Sequence, residues 1–213
     1  MDLYARFKRS DSPGPARLAL PPLRQPYSTA SVYVVPRVRD LASGEILYLD
    51  RVAERYPRAV LIGSPGAGKT SALRFLAKGT PILSLSDYHP LAPPDEFGGQ
   101  PRLLLDDVLA ARAHSEHLAR LAAKYKSTPI YAAAADGSAA PDGFARLAIL
   151  PFHERQVSSA VGAWFPGKPG ERVLQELKVG SFARRAVFHP LDLYLLLQTF
   201  QPGAAPPQNR SAL

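Results

Sequence analysis

The sequence predicts an α/β protein: a parallel sheet with flanking helices, followed by a smaller all-helical part. Three observations predict it. Short apolar runs that read as buried strands alternate with stretches of helical periodicity through the middle of the chain. A glycine-rich turn joins the clearest run, Ala59-Val60-Leu61-Ile62, to the clearest helix, Ser71 to Lys78. After Pro151 the strand-like runs stop and only short helical patterns remain.

Taken in order, Arg9 to Pro26 is too rich in proline, serine and arginine to pack as an element, so it reads as an extended arm. Ser31 to Val35 is β-branched and aromatic and reads as a short edge strand ended by Pro36. Glu45 to Arg55 places Ile46, Leu47, Leu49, Val52 and Ala53 at roughly helical spacing and reads as a helix stopped by Pro57. The glycine-rich turn and its strand and helix follow. Pro81 to Leu85 reads as the next strand, and Tyr88 to Pro101 as a Pro/Gly loop. Arg102 to Asp107 is a strand with acids at its C-terminal end. Val108 to Tyr125 is helical, with Leu109, Ala113, His117 and Leu121 four apart. Thr128 to Ala133 and Phe144 to Leu150 complete the strands. Glu154 to Phe165, Glu171 to Val179 and Leu191 to Phe200 are the later helices, the first two separated by Pro166-Gly167-Lys168-Pro169-Gly170.

At 213 residues the chain can bury a sizeable core as one domain, or as one domain with a small appendage. The absence of cysteine excludes disulfides, thiolate metal sites and a cysteine nucleophile, and suits a reducing cytosol. The first residues, Met1 to Arg9, lack the apolar stretch of a signal peptide, and Leu191 to Leu197 is interrupted by Asp192 and too short to span a bilayer. A cytoplasmic location without membrane attachment is therefore expected. The net charge of +8 is spread along the chain. It suits a solvated arginine-rich surface and a site for an anionic ligand, with nucleic acid the less favoured partner.

The glycine-rich turn carries the chemistry. Gly63-Ser64-Pro65-Gly66-Ala67-Gly68-Lys69-Thr70 fits G-x-x-x-x-G-K-[ST], the phosphate-binding loop. Its glycines let backbone N–H groups turn inward on a polyphosphate. Lys69 supplies a point charge, and the Thr70 hydroxyl can ligate Mg²⁺. Ser71 continues the loop into the helix, whose N-terminus favours anions. Magnesium chemistry calls for an acid at the end of a neighbouring apolar strand, and Asp106 is the candidate; Asp107 could orient the attacking water. His114 and His117 lie three apart on one helix with no third ligand at an evident spacing, which reads as an exposed helix face. His153 and His189 each follow an apolar residue and read as structural. No nucleophile-elbow serine is visible.

In this order the pieces resemble the NACHT family of signal-transduction NTPases, P-loop ATPases related to the AAA+ class. Val60–Ala77 looks like the family's nucleotide loop, with Pro-Gly inside it; Thr80–Tyr88 looks like the strand that follows; Arg102–Val108 stands at the acid-strand position. Ala145–Phe165 looks like the last strand running into the first lid helix, and His189–Phe200 like the helix that opens with a proline near the adenine. The resemblance implies a five-stranded parallel P-loop NTPase sheet in the order 5-1-4-3-2 with a small C-terminal helical lid. It divides the chain into a Pro-rich arm (1–30), an NTPase core (31–150), the lid (151–202) and a tail (203–213). It also implies that Pro190 lies near the base, that ATP and Mg²⁺ are the cofactors, and that nucleotide state biases a closed and an open form, the open form assembling into a homo-oligomer. No N-K-x-D motif stands in the chain, which favours ATP over GTP.

The chain departs from that pattern in ways that bear on rate. Leu109-Ala110-Ala111 stands where a further acidic pair is usual, and the fourth strand ends in Ala132 to Ala135, not near a polar γ-phosphate sensor. The sequence also stops after the lid, without the winged-helix region or repeat array, as a fragment would. The expectation is a nucleotide-dependent switch with slow Mg²⁺-dependent ATP hydrolysis. The alternatives are an AAA+-like ATPase acting on DNA, motivated by the charge, and a regulatory module that binds nucleotide without hydrolysing it.

Overall fold

A computed structural model describes residues 33–80, 82–84, 101–108, 112–135, 140–179 and 188–199, with backbone alone at 83–84, 107–108, 112–114, 178–179 and 199. The arm, the tail and most of the Pro/Gly loop lie outside the described residues. Strands β1 (Arg37–Asp40) and β2 (Ile46–Tyr48) form an antiparallel hairpin. A 3₁₀ turn, Leu49–Arg51, runs into the one-turn helix α1 (Val52–Arg55). Then come β3 (Arg58–Ile62), α2 (Lys69–Ala77), β4 (Leu83–Ser84), β5 (Leu103–Val108), α3 (Arg112–Lys124), β6 (Ile130–Ala134) and β7 (Ala145–Ile149). Helices α4 (Glu154–Trp164), α5 (Lys168–Val179) and α6 (Pro190–Thr199) follow.

The strands make one sheet in the order β2-β1-β7-β3-β6-β5-β4. From β7 to β4 all neighbours are parallel, while β1 is antiparallel to both β7 and β2. The protein is therefore α/β, but the sheet is mixed and seven-stranded, which corrects the expectation of a purely parallel sheet of five. The parallel strands, counted by chain order from the hairpin side, run fifth, first, fourth, third, second.

The hairpin arises where a helix was expected. Asp40 closes the turn: its side chain accepts from the Ala42 N–H (2.8 Å) and its carbonyl from the Gly44 N–H (2.8 Å). Gly44 adopts φ +76, a conformation that disfavours other residues. The Tyr56 hydroxyl donates to the second carboxylate oxygen of Asp40 at 2.7 Å. That bond first, and the Ala42 N–H second, hold the Asp40 carboxyl below the ordinary carboxylate range in spite of its burial. Ile46 and Tyr48 then point outward while Leu47 packs on the core, a period of two and not the helical one. Of the strand expected over Ser31–Val35, residues 31–32 lie outside the described residues and 33–35 are irregular; pairing begins only after Pro36. Helix α5 starts at Lys168 and takes in Pro169 and Gly170, which were read as separators; proline is tolerated in a helix's first turn because that N–H has no intrahelical partner.

Three apolar clusters hold these elements. One face of the sheet packs Val38, Leu61, Leu104, Tyr131 and Leu147 under Leu73 and Leu76 of α2 and Leu49 and Val52 of the segment around α1. The other packs Val60, Leu103, Leu105 and Ile130 under Leu118 and Leu121 of α3. The Arg58 guanidinium donates to the carbonyls of Ala122 and Lys126 (3.0 Å each) and so ties the end of α3 to the start of β3. The third cluster joins α4, α5 and α6 through Val157, Val161, Trp164, Val173, Leu177 and Leu196. Each large side chain buried in this third cluster contributes about 1.5–3 kcal/mol to packing the three helices. Among the described residues no helix is long and apolar enough to cross a membrane.

Candidate functional site

The site begins in the backbone of the turn after β3. Gly66 (φ +81) and Gly68 (φ +89) both occupy the left-handed region, which lets the chain curl and enter α2 directly. Gly68 is the N-cap of α2, and the Ala72 N–H makes the first helical bond to its carbonyl. The N–H groups of Lys69, Thr70 and Ser71 therefore have no intrahelical acceptor, as the opening geometry of a helix requires. The first turn of α2 carries no acidic side chain to compete for that positive end. An anion is the natural complement.

Lys69 Nζ donates to the carbonyls of Gly63 (2.6 Å) and Ser64 (2.9 Å). The lysine is thus folded over its own loop, with two of its three donors engaged. Gly63 and Ser64 hold the lysine, while Pro65, Gly66, Ala67, Gly68, Lys69, Thr70 and Ser71 line a cleft of about 650 Å³.

Asp106 lines the same cleft, from β5. Pairing with β6 shifts register between Leu105 and Val108, so Asp106 and Asp107 sit in a bulge of β5. Bulges locally re-aim side chains and are frequent beside active sites. The structure thus brings together Thr70 and Asp106, which were separate candidates in the sequence. The Asp107 side chain lies outside the described residues. Ala133, Ala134 and Ala135, at the end of β6, also face the cleft, so no polar side chain comes from that strand. The chemistry of Thr70 and Asp106 fits Mg²⁺, a hard cation that takes few protein oxygens and keeps several waters. Among the described residues no group of three or more His, Asp or Glu could hold a metal.

The far wall of the cleft is apolar, and sequence reasoning missed most of it. Phe152, Ala160 and Trp164 reach it from α4 and the turn before it, and Leu193, Tyr194 and Leu197 from α6. Trp164 and Tyr194 meet edge to face, with centroids 5.6 Å apart and planes at 86°. Tyr33, Val34 and Pro36 close the end. The Tyr33 ring stacks on Phe75 of α2 (5.2 Å), and Gln156 of α4 donates to the Val35 carbonyl at 2.7 Å. The chain's one tryptophan at a helix end was the available signal, but nothing local says what a tryptophan will face.

Pro190, expected near the ligand's base, lines the cleft at the start of α6. That helix start rests on the loop. The Leu191 N–H donates to the Gly66 carbonyl at 3.2 Å, and a Cβ on Gly66 would stand 2.6 Å from His189 and 3.0 Å from Leu191. His189 Nδ1 lies 3.5 Å from an Asp192 carboxylate oxygen. His153 N-caps α4 in a reciprocal pair with Gln156. These placements agree with a structural part for both histidines. His117 is buried on α3, which corrects its reading as part of an exposed face; the His114 side chain lies outside the described residues.

In comparisons with known proteins, no family model matches the chain and no curated protein matches it significantly.

Proposed function

We propose that the chain is an ATP-binding P-loop NTPase of NACHT type, a nucleotide-dependent switch with slow Mg²⁺-dependent hydrolysis. The observation that carries the reading is one continuous cleft. Its polar end is the Gly63–Thr70 loop with Asp106, and its apolar end is built by α4, α6 and residues 33–36. A polyphosphate joined to an apolar base matches that division of polarity. The order of the parallel strands, with β3 between β7 and β6, supports a P-loop NTPase sheet extended by an added hairpin.

In this reading the N–H groups at the start of α2 and the Lys69 ammonium hold the phosphates, and Lys69 exchanges its bonds to Gly63 and Ser64 for phosphate oxygens. Thr70 and Asp106 would hold Mg²⁺, which supplies charge neutralisation at the β- and γ-phosphates when bound. Pro190 and the apolar wall receive the base, and contact between α6 and Gly66 links the phosphate end to the lid. Among the described residues the alanines at the end of β6 supply no charge toward a γ-phosphate, so slow turnover is expected: a missing stabilising donor costs about 10²–10³ in rate.

The test sets wild type, Lys69→Ala and Asp106→Asn side by side for fluorescent-ATP affinity and for phosphate release. Lys69→Ala should lose binding, and Asp106→Asn should keep binding while losing turnover. Unchanged affinity in Lys69→Ala would sink the reading. Binding without turnover above background in wild type would select the non-hydrolysing module.

A further inference from the structure

A second cavity, of about 440 Å³, lies on the outer side of residues 33–35, between α4 and the β2 edge. Its polar lining residues are Tyr33, Tyr48, His153, Arg155, Gln156 and Ser159. The Gln156 N–H donates to His153 Nδ1 at 3.1 Å, so in the neutral ring the His153 proton stands on Nε2. That Nε2–H donates to the Tyr48 hydroxyl oxygen in a long bond of 3.5 Å, which leaves the Tyr48 O–H to donate, and both residues line the cavity together with Arg155. Tyr33 lines this cavity and the first cleft alike, and its hydroxyl is buried with no hydrogen-bond partner. The Gln156 side chain is already spent on His153 and Val35. No acidic residue is among the described residues that line the cavity. Val34, Val35 and Ala163 add an apolar wall.

We propose that this cavity binds a small organic anion, a carboxylate or phosphate monoester. Its head meets Arg155 and the Tyr48 hydroxyl, which His153 Nε2 orients, and its body lies on the apolar wall. A phenol, a guanidinium and a histidine with its proton fixed around one space are complementary to negative oxygen, and charge-assisted bonds of this kind are the strong ones. The site shares the Tyr33–Val35 wall with the first cleft.

The experiment uses the full chain and two probes, phenyl phosphate and benzoate, with binding followed by calorimetry and by ligand-observed NMR. Saturable binding of either probe to wild type is expected, and which one binds more tightly distinguishes the phosphate from the carboxylate source. Arg155→Ala should weaken it about tenfold or more. His153→Asn keeps an N-cap acceptor for α4 but lacks the Nε2 donor, and should weaken it as well. Lys69→Ala should leave it unchanged, which separates this site from the phosphate loop and lets it stand or fall independently of ATP binding. Binding of neither probe, equal binding in Arg155→Ala and His153→Asn, or loss of binding in Lys69→Ala overturns the proposal.

Discussion

The two ends of the main cleft are held in place by different means. The polar end is one contiguous turn whose shape follows from two left-handed glycines, a helix start and a lysine bonded to its own loop. The apolar end is assembled from residues 33–36, Phe152, α4 and α6, which meet only because a separate hydrophobic cluster packs them. Short-range backbone bonding defines the first, and long-range packing the second. Damage to one end should therefore leave the other largely intact, and the ways to test this differ in size.

The largest effect is expected from Trp164→Ala. Trp164 is 8% exposed and packs in the lid cluster, and truncating such a side chain costs about 3–5 kcal/mol. Urea denaturation should register the loss. ATP affinity should fall, while inorganic tripolyphosphate still binds; a parallel loss of tripolyphosphate would show that the two ends are not separable. Lys69→Ala is the mirror experiment. Loss of a charged hydrogen-bonding group costs about 1.5–3 kcal/mol, or roughly 10–100-fold in affinity for ATP and tripolyphosphate. Adenosine binding should be unaffected. Calorimetry on the three ligands reads both variants on one scale.

Gly66→Ala strikes a place where the ends touch. A left-handed conformation costs an L-residue about 1–2 kcal/mol, and the added methyl would meet His189 and Leu191. Thermal denaturation should show the loss, and hydrogen exchange should speed up at the start of α6. Protection of α6 equal to wild type would mean that the loop does not support the lid. The smallest effect is expected from Asp40→Asn, far from the cleft, at about 1 kcal/mol at neutral pH. The Asp40 carboxyl titrates below its ordinary value because Tyr56 and the Ala42 N–H favour the charged form. Its contribution is thus complete above the ordinary value near 3.8 and is lost as pH falls through the lowered folded value. Urea titrations of wild type and variant should converge at strongly acid pH and differ at pH 7. A gap that widened on acidification would reverse the assignment.

What could be read in the sequence follows the same division. Gly63–Ser71 was legible because the chemistry is contiguous, and Asp106 because an acid ends an apolar strand. The parallel strands were legible as apolar runs between helices. The hairpin was not, because Ile46, Leu47 and Leu49 suit either period over so short a stretch; the Ser43-Gly44 pair was the neglected turn signal. The aromatic wall was not legible either. Phe152, Trp164 and Tyr194 acquire a common face only after three segments have packed, and helical periodicity reports burial without saying against what.

The bond from Gln156 to the Val35 carbonyl spans 121 residues of chain. On a ribosome adding about 5–20 residues per second, the start of the core would emerge roughly 6–24 s before the helix that secures it. Tyr33 and Val35 have α2 and the sheet to pack on, but Val34 must wait through that interval, because it has no helical cluster to enter until α4, α5 and α6 exist. Nascent chains arrested before α4 should accordingly carry the phosphate loop yet be poor at retaining ATP, and should engage holdase chaperones through this early segment. On the proposed reading, slower translation of the stretch before α4 should lower the fraction of chains that bind ATP, measured on the released protein.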